Sequence, residues 1–348
     1  MILSKKLVLF GTNRHAICIN DYHMFFSRTQ HQIAHIFYPL GSHKNRDWWE
    51  LGAREDKARD SVVDPMTGCA APITVWEELE RDVFPVLDAL DFDFICIANG
   101  SDPAHQALIK RYGRAKFLFS EYGWLPWSQH FYISRQGAGF ESEVAKINRK
   151  ALDPITVDEA GIETFISTLD EGVDVPYDNF IYMPMQKDVN DFKFLYNDFE
   201  NNEEFLACAD RVVPKDVKIL VKCHPLYKKK YDLSFSDRMI DITDAGLNKY
   251  QLYQNMKALI CLNSTSILEA LAFGAKVFSY GDDLFTGKRV TYHKVMDPAK
   301  FERLLNAEHE PEAARKFVSL LLSRQIDRHR VVAKDRGYIA RHYWNQCL

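Results

Sequence analysis

Short apolar runs rich in Val, Ile and Phe alternate along the chain with longer amphipathic stretches. Such alternation is typical of βαβ units whose strands run parallel. The first half has apolar runs at residues 6–10, 92–98 and 115–119, and the second half has them at 180–185, 217–222, 239–242, 258–262 and 276–280. Because the pattern occurs once in each half, we predict an α/β fold with two Rossmann-like domains.

The predicted domain boundary lies in residues 155–179, which mix Asp, Glu and Gly with a Val-Pro step and have weak periodicity. A chain of 348 residues is also long for one hydrophobic core. We therefore expect one domain at residues 1–172 and a second at 173–323. The basic, aromatic-containing segment 324–348 is expected to form a helix that packs back on the first domain.

The composition is that of a globular protein, with 47% apolar and 26% charged residues. The formal net charge of −4 argues against a dedicated nucleic-acid binder, because binding a phosphate backbone needs a basic excess. The seven cysteines are scattered and include no Cys-x-x-Cys pair, so reduced structural thiols are favoured over a zinc site.

Two features of the sequence bear on location in the cell. The apolar run at residues 7–10, which follows Lys5 and Lys6, is shorter than the core of a signal peptide. Since the sequence also has no apolar stretch long enough to span a bilayer, we expect a cytosolic protein. The aromatic and basic segment 25–49 is expected either to contact lipid head groups at the inner membrane or to form a partly buried loop or acceptor-site wall.

A first group of polar residues ends the predicted strand at 217–222. Ligands bind beyond the carboxyl ends of strands in open α/β sheets. Lys222 and His224 can therefore point toward a phosphate, and Pro225 then turns the chain. A histidine after a strand can equally serve only to cap a loop, and this motif alone does not decide between the two roles.

A second group opens a predicted helix after the strand at 258–262, and consists of Asn263, Ser264, Thr265 and Ser266. Hydroxyls and N–H groups at the positive end of a helix suit a nucleotide phosphate. Ser266 and Glu269 also have the spacing of a capping box, which needs no ligand. One residue can cap the helix while Ser264 faces a ligand.

Carboxylates form a third group. Asp188 and Asp191 follow Gln186 after the strand at 180–185, and Glu121 follows the strand at 115–119. The two aspartates can equally be acids favoured in the first turn of a helix. A pair of carboxylates on opposite sides of a ligand is what glycosyl chemistry uses.

In this order and spacing, the three groups resemble the bacterial capsule polysaccharide biosynthesis family, which includes the retaining β-Kdo transferases of capsule and O-antigen assembly. The resemblance runs from about residue 120 to residue 280. Its parts are Glu121-Tyr122-Gly123-Trp124-Leu125-Pro126, Gly137-Ala138-Gly139, Pro184-Met185-Gln186 with a nearby Asp, His224-Pro225, and Ser264-Thr265-Ser266 followed by Glu269-Ala270-Leu271. Each part alone is a weak motif.

The resemblance implies a GT-B fold, with two Rossmann-like domains that face each other across a cleft. It also implies a CMP-Kdo donor, a glycan or glycolipid acceptor, and neither a metal nor another cofactor. The residues expected to bind the donor are Gln186, Asp188, Lys222, Pro225, Asn263, Ser264, Thr265, Ser266 and Glu269.

The resemblance further implies a double displacement that retains the configuration of the sugar. Asp191 is expected to be the nucleophile, with Asp188 in reserve, and Glu121 is expected to be the base that activates the acceptor hydroxyl. His224 would stabilise the phosphate. Because the donor already carries a good leaving group, the protein needs only to stabilise that phosphate and present a carboxylate.

The sequence departs from the family pattern in some respects. Ser134 stands where an acid is expected before the glycine pair, two acids follow Gln186 where the pattern has one, and the first half matches only as a fold. One alternative is a GT-B transferase with another donor, such as CMP-sialic acid, CDP-glycerol or a UDP-sugar. Another is a non-catalytic capsule-assembly protein, which would tolerate loss of Glu121 and Asp191.

Overall fold

The computed structural model describes residues 5–11, 16–27, 31–37, 61–63, 70–100, 103–126, 128–186, 197–224, 230–335, 337–340 and 342. The chain forms two compact units, one of Met1–Lys146 with Arg324–Leu348 and one of Ile147–Ser323. Each unit has its own parallel or mixed sheet.

The described strands are β1 Lys6–Gly11, β2 Gln32–Phe37, β3 Ser61–Val63, β4 Ala70–Pro72, β5 Phe94–Ile97, β6 Phe117–Tyr122, β7 His130–Ser134, β8 Phe180–Pro184, β9 Lys218–Lys222, β10 Met239–Asp241, β11 Ala258–Cys261, β12 Val277–Ser279, β13 Tyr292–His293 and β14 Ile326–Asp327. The described α-helices are α1 Ala16–Phe26, α2 Ile73–Asp82, α3 Phe84–Asp88, α4 Pro103–Tyr112, α5 Glu143–Lys146, α6 Glu159–Ser167, α7 Asn202–Val212, α8 Lys249–Asn255, α9 Ser266–Ala272, α10 Pro298–Asn306, α11 Glu312–Arg324 and α12 Arg328–Val332. Short 3₁₀ turns lie at Arg114–Lys116, Gly139–Glu141 and Arg149–Leu152.

The sheet of the first unit has the strand order β14-β7-β6-β5-β1-β2. Its strands β2, β1, β5 and β6 run parallel, whereas β7 and β14 are antiparallel to their neighbours. Successive residues of β1 pack on opposite faces: Val8 and Phe10 join the core under α2–α4, and Leu7 and Leu9 join the core under α1. Because both faces are covered, the strand reads as a continuous apolar run.

The sheet of the second unit has the order β10-β9-β8-β11-β12-β13, and every pair in it is parallel. Its core joins β8, β9 and β11 to the buried faces of α7 and α10. All the strands that the sequence predicts are present, with small shifts at their ends. The prediction of two Rossmann-like α/β domains is confirmed.

The units divide between Lys146 and Ile147 rather than near Val173. Residues 147–172 belong to the second unit because they pack on its helix α11. The Asp158 N–H donates to Ser319 Oγ at 2.8 Å, and Arg315 forms an ion pair with Glu159.

The C-terminal segment begins as an edge strand, whereas the sequence predicts a helix from residue 324. Ile326 and Asp327 of β14 pair with Phe131 and His130 of β7, and the helix α12 follows. A two-residue strand lies below the length at which alternation can be recognised, so the sequence does not reveal it.

Segment 25–49 contains a strand that the sequence does not predict. The described part of this segment contains the end of α1 and then β2. The strand β2 pairs along its whole length with β1. The partly buried loop expected as one alternative for segment 25–49 is therefore wrong for residues 32–37, and the lipid contact and the acceptor-site wall stay predictions. Among the described strands β2 pairs on one side only, and such an edge strand can carry polar residues. Gln32 and His35 therefore interrupt the apolar pattern from which a strand would be predicted.

Candidate functional site

The carboxyl ends of the parallel strands in the second unit share one edge of its sheet. His224 follows β9, Gln186 follows β8 and Asn263 follows β11, and these three strands are neighbours. Since adjacent strands are about 4.8 Å apart, the ends of β9 and β11 are separated by about 10 Å. The structure thus brings the His224 group and the Asn263 group to one edge of the sheet.

Side chains alternate at the end of β9. Cys223 is buried in the core, whereas Lys222 and His224 are half-buried and share the opposite face. The Cys223 N–H donates to Thr243 Oγ1 at 2.9 Å, which fixes the main chain at this point. Lys222 and His224 therefore lie together at the carboxyl edge of the sheet, and their predicted contact with a phosphate stays a prediction.

Burial lowers the pKa of Lys222, and the positive charge of Lys249 lowers it further, while the carboxylate of Glu269 acts in the opposite direction. Two ammonium groups and one carboxylate thus act on each other near this edge. An incoming anion would stabilise the charged form of Lys222, since its positive charge is only partly compensated.

Glu269 belongs to a buried polar network. Lys249 Nζ lies 3.0 Å and 2.9 Å from the two carboxylate oxygens, and the Tyr253 hydroxyl donates to the same carboxylate. The helix α9 begins at Ser266 with Thr265 as its N-cap residue. The capping-box interpretation of Ser266 and Glu269 is therefore wrong, because the carboxylate pairs with α8.

The loop between β11 and α9 offers hydroxyl groups at the sheet edge. Ser264, Thr265 and Ser266 are half-buried, and Ser264 Oγ accepts from the Ser266 N–H at 3.3 Å. Asn263 is 3% exposed and lies in contact distance of Gly281, where an added Cβ would approach its side chain to 3.3 Å. The hydroxyls are the part of this loop that a ligand can reach.

Gln186 lies beneath the edge, with 2% of its surface exposed. Its carbonyl accepts a 2.7 Å hydrogen bond from Asn202 Nδ2, which also donates to the Tyr231 hydroxyl at 2.7 Å. This arrangement fixes the end of β8. Asp188, Asp191 and Pro225 lie outside the described residues, so their predicted roles stay predictions.

Glu121 lies in the first unit, at the end of β6. Asn99, which follows the neighbouring strand β5, donates from Nδ2 to Glu121 Oε2 at 2.8 Å, and the Tyr122 N–H donates to Oε1 at 2.9 Å. Ser134 accepts from the main-chain N–H groups of Gln136 and Gly137 at 3.1 Å each, so its hydroxyl supplies an acceptor where the family pattern has an acid.

Residues 190–326 match the family described as capsule polysaccharide biosynthesis protein. The resemblance to the capsule polysaccharide biosynthesis family is confirmed. The match includes Lys222, His224 and the segment from Asn263 to Glu269, but not Glu121. No curated protein matches the chain.

Among the solved structures that share the fold, two are of KpsC from Thermosulfurimonas dismutans. The β-Kdo 2,7 transferase superposes with a TM-score of 0.54 at 14% identity, over 96% of this chain and 99% of that chain. The β-Kdo 2,4 transferase superposes with a TM-score of 0.55 at 12% identity, over 97% and 99%. At these identities the likeness concerns the fold, which consists of two Rossmann-like α/β domains.

The region of the capsule-family match contains a further polar cluster that the sequence does not predict. Asp282 lies 3.1 Å from His293 Nε2 and 3.7 Å from Lys294 Nζ, and Lys294 also pairs with Asp198 at 2.9 Å. Burial lowers the pKa of His293, while Asp282 acts in the opposite direction. His293 is the last residue of β13 and Lys294 follows it, and a two-residue strand is too short to be recognised from sequence patterns.

Metal clusters and membrane-spanning helices are both absent from the described residues. Across the described ranges, His, Cys, Asp and Glu side chains form no group of three or more that could hold a metal ion. In the same part of the chain, no helix combines the length and apolar character needed to cross a membrane.

Proposed function

We propose that the protein is a glycosyltransferase that transfers Kdo from CMP-Kdo to a capsule or lipopolysaccharide glycan with retention of configuration. The observation that carries this proposal is the positive group at the carboxyl edge of the second sheet. Lys222, His224 and Lys249 lie there with the hydroxyl-rich start of α9, inside the region that matches the capsule family.

The charge at this edge suits a phosphate leaving group. Lys222 and Lys249 are opposed by one carboxylate, Glu269, so the local charge is positive. The half-buried hydroxyls of Ser264 and Thr265 add donors for phosphate oxygens. Stabilising the departing cytidine monophosphate in this way lowers the barrier to cleavage of the glycosyl bond.

The carboxylates complete the proposed reaction. Asp191 would attack the anomeric carbon as CMP leaves, which gives a glycosyl ester of the protein. Glu121, oriented by Asn99, would then take the proton of the acceptor hydroxyl while that oxygen displaces Asp191. Two inversions restore the original configuration. The acceptor would be a glycan or glycolipid, reached in the cytoplasm or at the inner membrane.

Replacing His224 tests the phosphate site. His224→Ala should weaken CMP binding and lower transfer by roughly ten- to hundredfold, because a charge-assisted hydrogen bond contributes about 1.5–3 kcal/mol. Calorimetry with CMP and a CMP-release assay measure the two effects. His329→Ala, a change at an exposed residue of α12, is the matched control. CMP affinity and turnover that both equal those of the unmodified protein would rule out the assignment of His224.

Chelation tests how the leaving group is stabilised. If lysine and histidine neutralise the phosphate, CMP release from CMP-Kdo should continue unchanged in excess EDTA. The same assay with added magnesium or manganese provides the comparison. A strict requirement for either ion would mean that the phosphate is held by a metal.

The choice of donor needs its own experiment. Purified protein should release the nucleotide from CMP-Kdo but not from CMP-sialic acid, CDP-glycerol or a UDP-sugar. Turnover with only one of the other donors would support a GT-B transferase with that donor and reject the assignment of Kdo. Absence of turnover with all four, together with full function of Glu121→Ala and Asp191→Ala variants in capsule assembly, would favour the non-catalytic alternative.

A further inference from the structure

The second unit contains an open cavity of about 410 Å³ at the amino edge of its sheet, opposite to the edge proposed to bind the donor. Lys257, which directly precedes β11, and Lys276, which directly precedes β12, both line it. The strands β11 and β12 run parallel, so both lysines lie at the same edge. The four residues of β11 separate the two edges by about 13 Å, and the cavity is therefore distinct from the proposed donor site.

The walls of this cavity carry cations and no acid. Its described lining residues include Lys257, Lys276, His309 and Arg315, and none of them is Asp or Glu. Arg315 is compensated, because it forms an ion pair with Glu159. Neither lysine forms an ion pair within the described part of the chain. Two positive charges at the cavity are therefore not matched by a carboxylate.

The ammonium group of Lys276 is fixed in place by the main chain. It donates to the carbonyls of Leu305 and Ala307, which uses two of its three N–H donors and leaves one for a ligand. Burial lowers the pKa of His309 and the positive charge of Lys276 lowers it further, while a hydrogen bond to the Gly274 main chain acts in the opposite direction. The charge of Lys276 thus acts on its surroundings in the cavity.

Two helix ends oppose part of the lysine charge. The helix α8 ends at Asn255 and α9 ends at Ala272, and the residues that follow both ends line the cavity. The carboxyl end of a helix carries at most about half a negative unit charge. Together the two ends offset about one of the two lysine charges, so the cavity stays positive and favours an anion.

Aromatic rings form the apolar part of the wall. Tyr250 and Phe273 are both half-buried, with ring centroids 5.4 Å apart and planes inclined by 67°. Ile166, also half-buried, adds an aliphatic contact. The volume lies within the range of small-molecule sites, about 300–1,000 Å³. Apolar surface beside two ammonium groups suits a ligand that combines a ring with an anion.

We propose that this cavity binds a small phosphate ester, with the phosphate at Lys257 and Lys276 and a ring against Tyr250 and Phe273. An ammonium group is a compact point charge that suits a phosphate. The guanidinium fork of Arg315, which would match a carboxylate, is already paired with Glu159. The site goes beyond the proposed function, because it adds a second ligand at the other edge of the sheet.

Phenyl phosphate tests the proposal by calorimetry on the full-length protein in the presence of saturating CMP. This probe combines the ring and the dianion, whereas phenol has only the ring and inorganic phosphate has only the anion. Phenyl phosphate should bind, and each of the two fragments should bind at least about tenfold more weakly, because each lacks one set of contacts.

Two lysine variants and a matched control locate the binding. Lys257→Glu reverses the charge of an exposed residue, and Lys276→Gln removes a charge but keeps N–H donors for the two carbonyls. Each should weaken phenyl phosphate binding by about tenfold or more. Lys300→Ala, at an exposed residue of α10 outside the cavity, should leave this affinity unchanged.

Equal binding of phenyl phosphate and either fragment, phenyl phosphate binding that CMP abolishes, or unchanged affinity in both lysine variants would overturn the proposal. His224→Ala should weaken CMP binding but not phenyl phosphate binding, and Lys257→Glu should do the reverse, which separates the cavity from the donor site. Lys257-dependent binding of phenyl phosphate by a protein that neither binds CMP nor turns over CMP-Kdo would reject the proposed function alone.

Discussion

Incubation of the purified protein with CMP-Kdo should release CMP and leave one Kdo covalently attached to Asp191. A retaining enzyme whose nucleophile is a carboxylate passes through a glycosyl-enzyme, and that ester survives until water or acceptor displaces it. Intact-mass analysis should reveal a fraction of the protein that carries a single Kdo, and peptide mapping should locate the adduct.

Two variants separate the steps of this reaction. Asp191→Ala should abolish the adduct and lower transfer by roughly 10⁴-fold or more, because it removes the nucleophile. Glu121→Gln should leave the first displacement possible but slow the second by about 10²–10⁴-fold, so the adduct should accumulate. Asn99→Ala should also slow the second displacement and let the adduct accumulate, but less than Glu121→Gln does, since Asn99 orients the Glu121 carboxylate.

Asp188→Ala is the matched control for Asp191→Ala, because both acids follow Gln186 closely. It should still form the adduct on Asp191, and it should lower transfer only through its expected role in donor binding. An adduct on Asp188 would identify Asp188 rather than Asp191 as the nucleophile and would still support a double displacement. Full transfer by Asp191→Ala and Asp188→Ala alike would refute a covalent intermediate on either residue.

Arg328→Ala should destabilise the first unit by about 3–5 kcal/mol at neutral pH. Arg328 binds Asp21 through two hydrogen bonds of 2.8 Å and 2.7 Å, and Asp21 is 1% exposed. Removing the guanidinium leaves a buried, uncompensated carboxylate. Urea denaturation followed by tryptophan fluorescence measures the effect, because the described tryptophans, Trp76 and Trp124, lie in this unit.

The pH dependence of this loss of stability follows from the carboxyl group of Asp21. Burial raises the pKa of Asp21 even though the hydrogen bonds and charge of Arg328 oppose the shift. Without Arg328 the folded-state pKa should rise further, so protonation favours the folded state and the loss should shrink as pH falls through that pKa. A loss that stays constant down to about pH 4 would contradict this explanation.

Two further variants serve as controls for Arg328→Ala. The double change Asp21→Leu with Arg328→Met should recover most of the stability, because it leaves no buried charge. Arg81→Ala, at an exposed ion pair, should change stability little. If Arg328→Ala were no more destabilising than Arg81→Ala, the buried pair would not be what holds the C-terminal segment on the first unit.

The sequence by itself determined the fold class and the strand ends that carry polar residues. Buried parallel strands need apolar side chains on both faces, so β8, β9 and β11 appear as uninterrupted apolar runs. Parallel pairing then requires that the residues after these runs share one edge, which is why the apolar pattern alone is enough to group Lys222, His224 and Ser264.

Only the tertiary structure decided how the candidate residues are paired. Lys249 and Glu269 lie on different helices, and Asn99 follows β5 whereas Glu121 lies on β6, so neither contact has a local signature. The capping-box spacing was misleading for the same reason, because a local rule cannot anticipate a competing partner from a distant helix.

The tertiary structure also decided the edges of the sheets and the limits of the units. The strands β13 and β14 have two residues each, too few for any hydrophobic period to be recognised, and they exist because a neighbouring strand offers unpaired N–H and C=O groups. Residues 147–172 join the second unit through contacts with α11, which lies more than 140 residues later. The hydrophobic pattern of the sequence predicts which residues are buried. Long-range packing determines the surface against which they are buried.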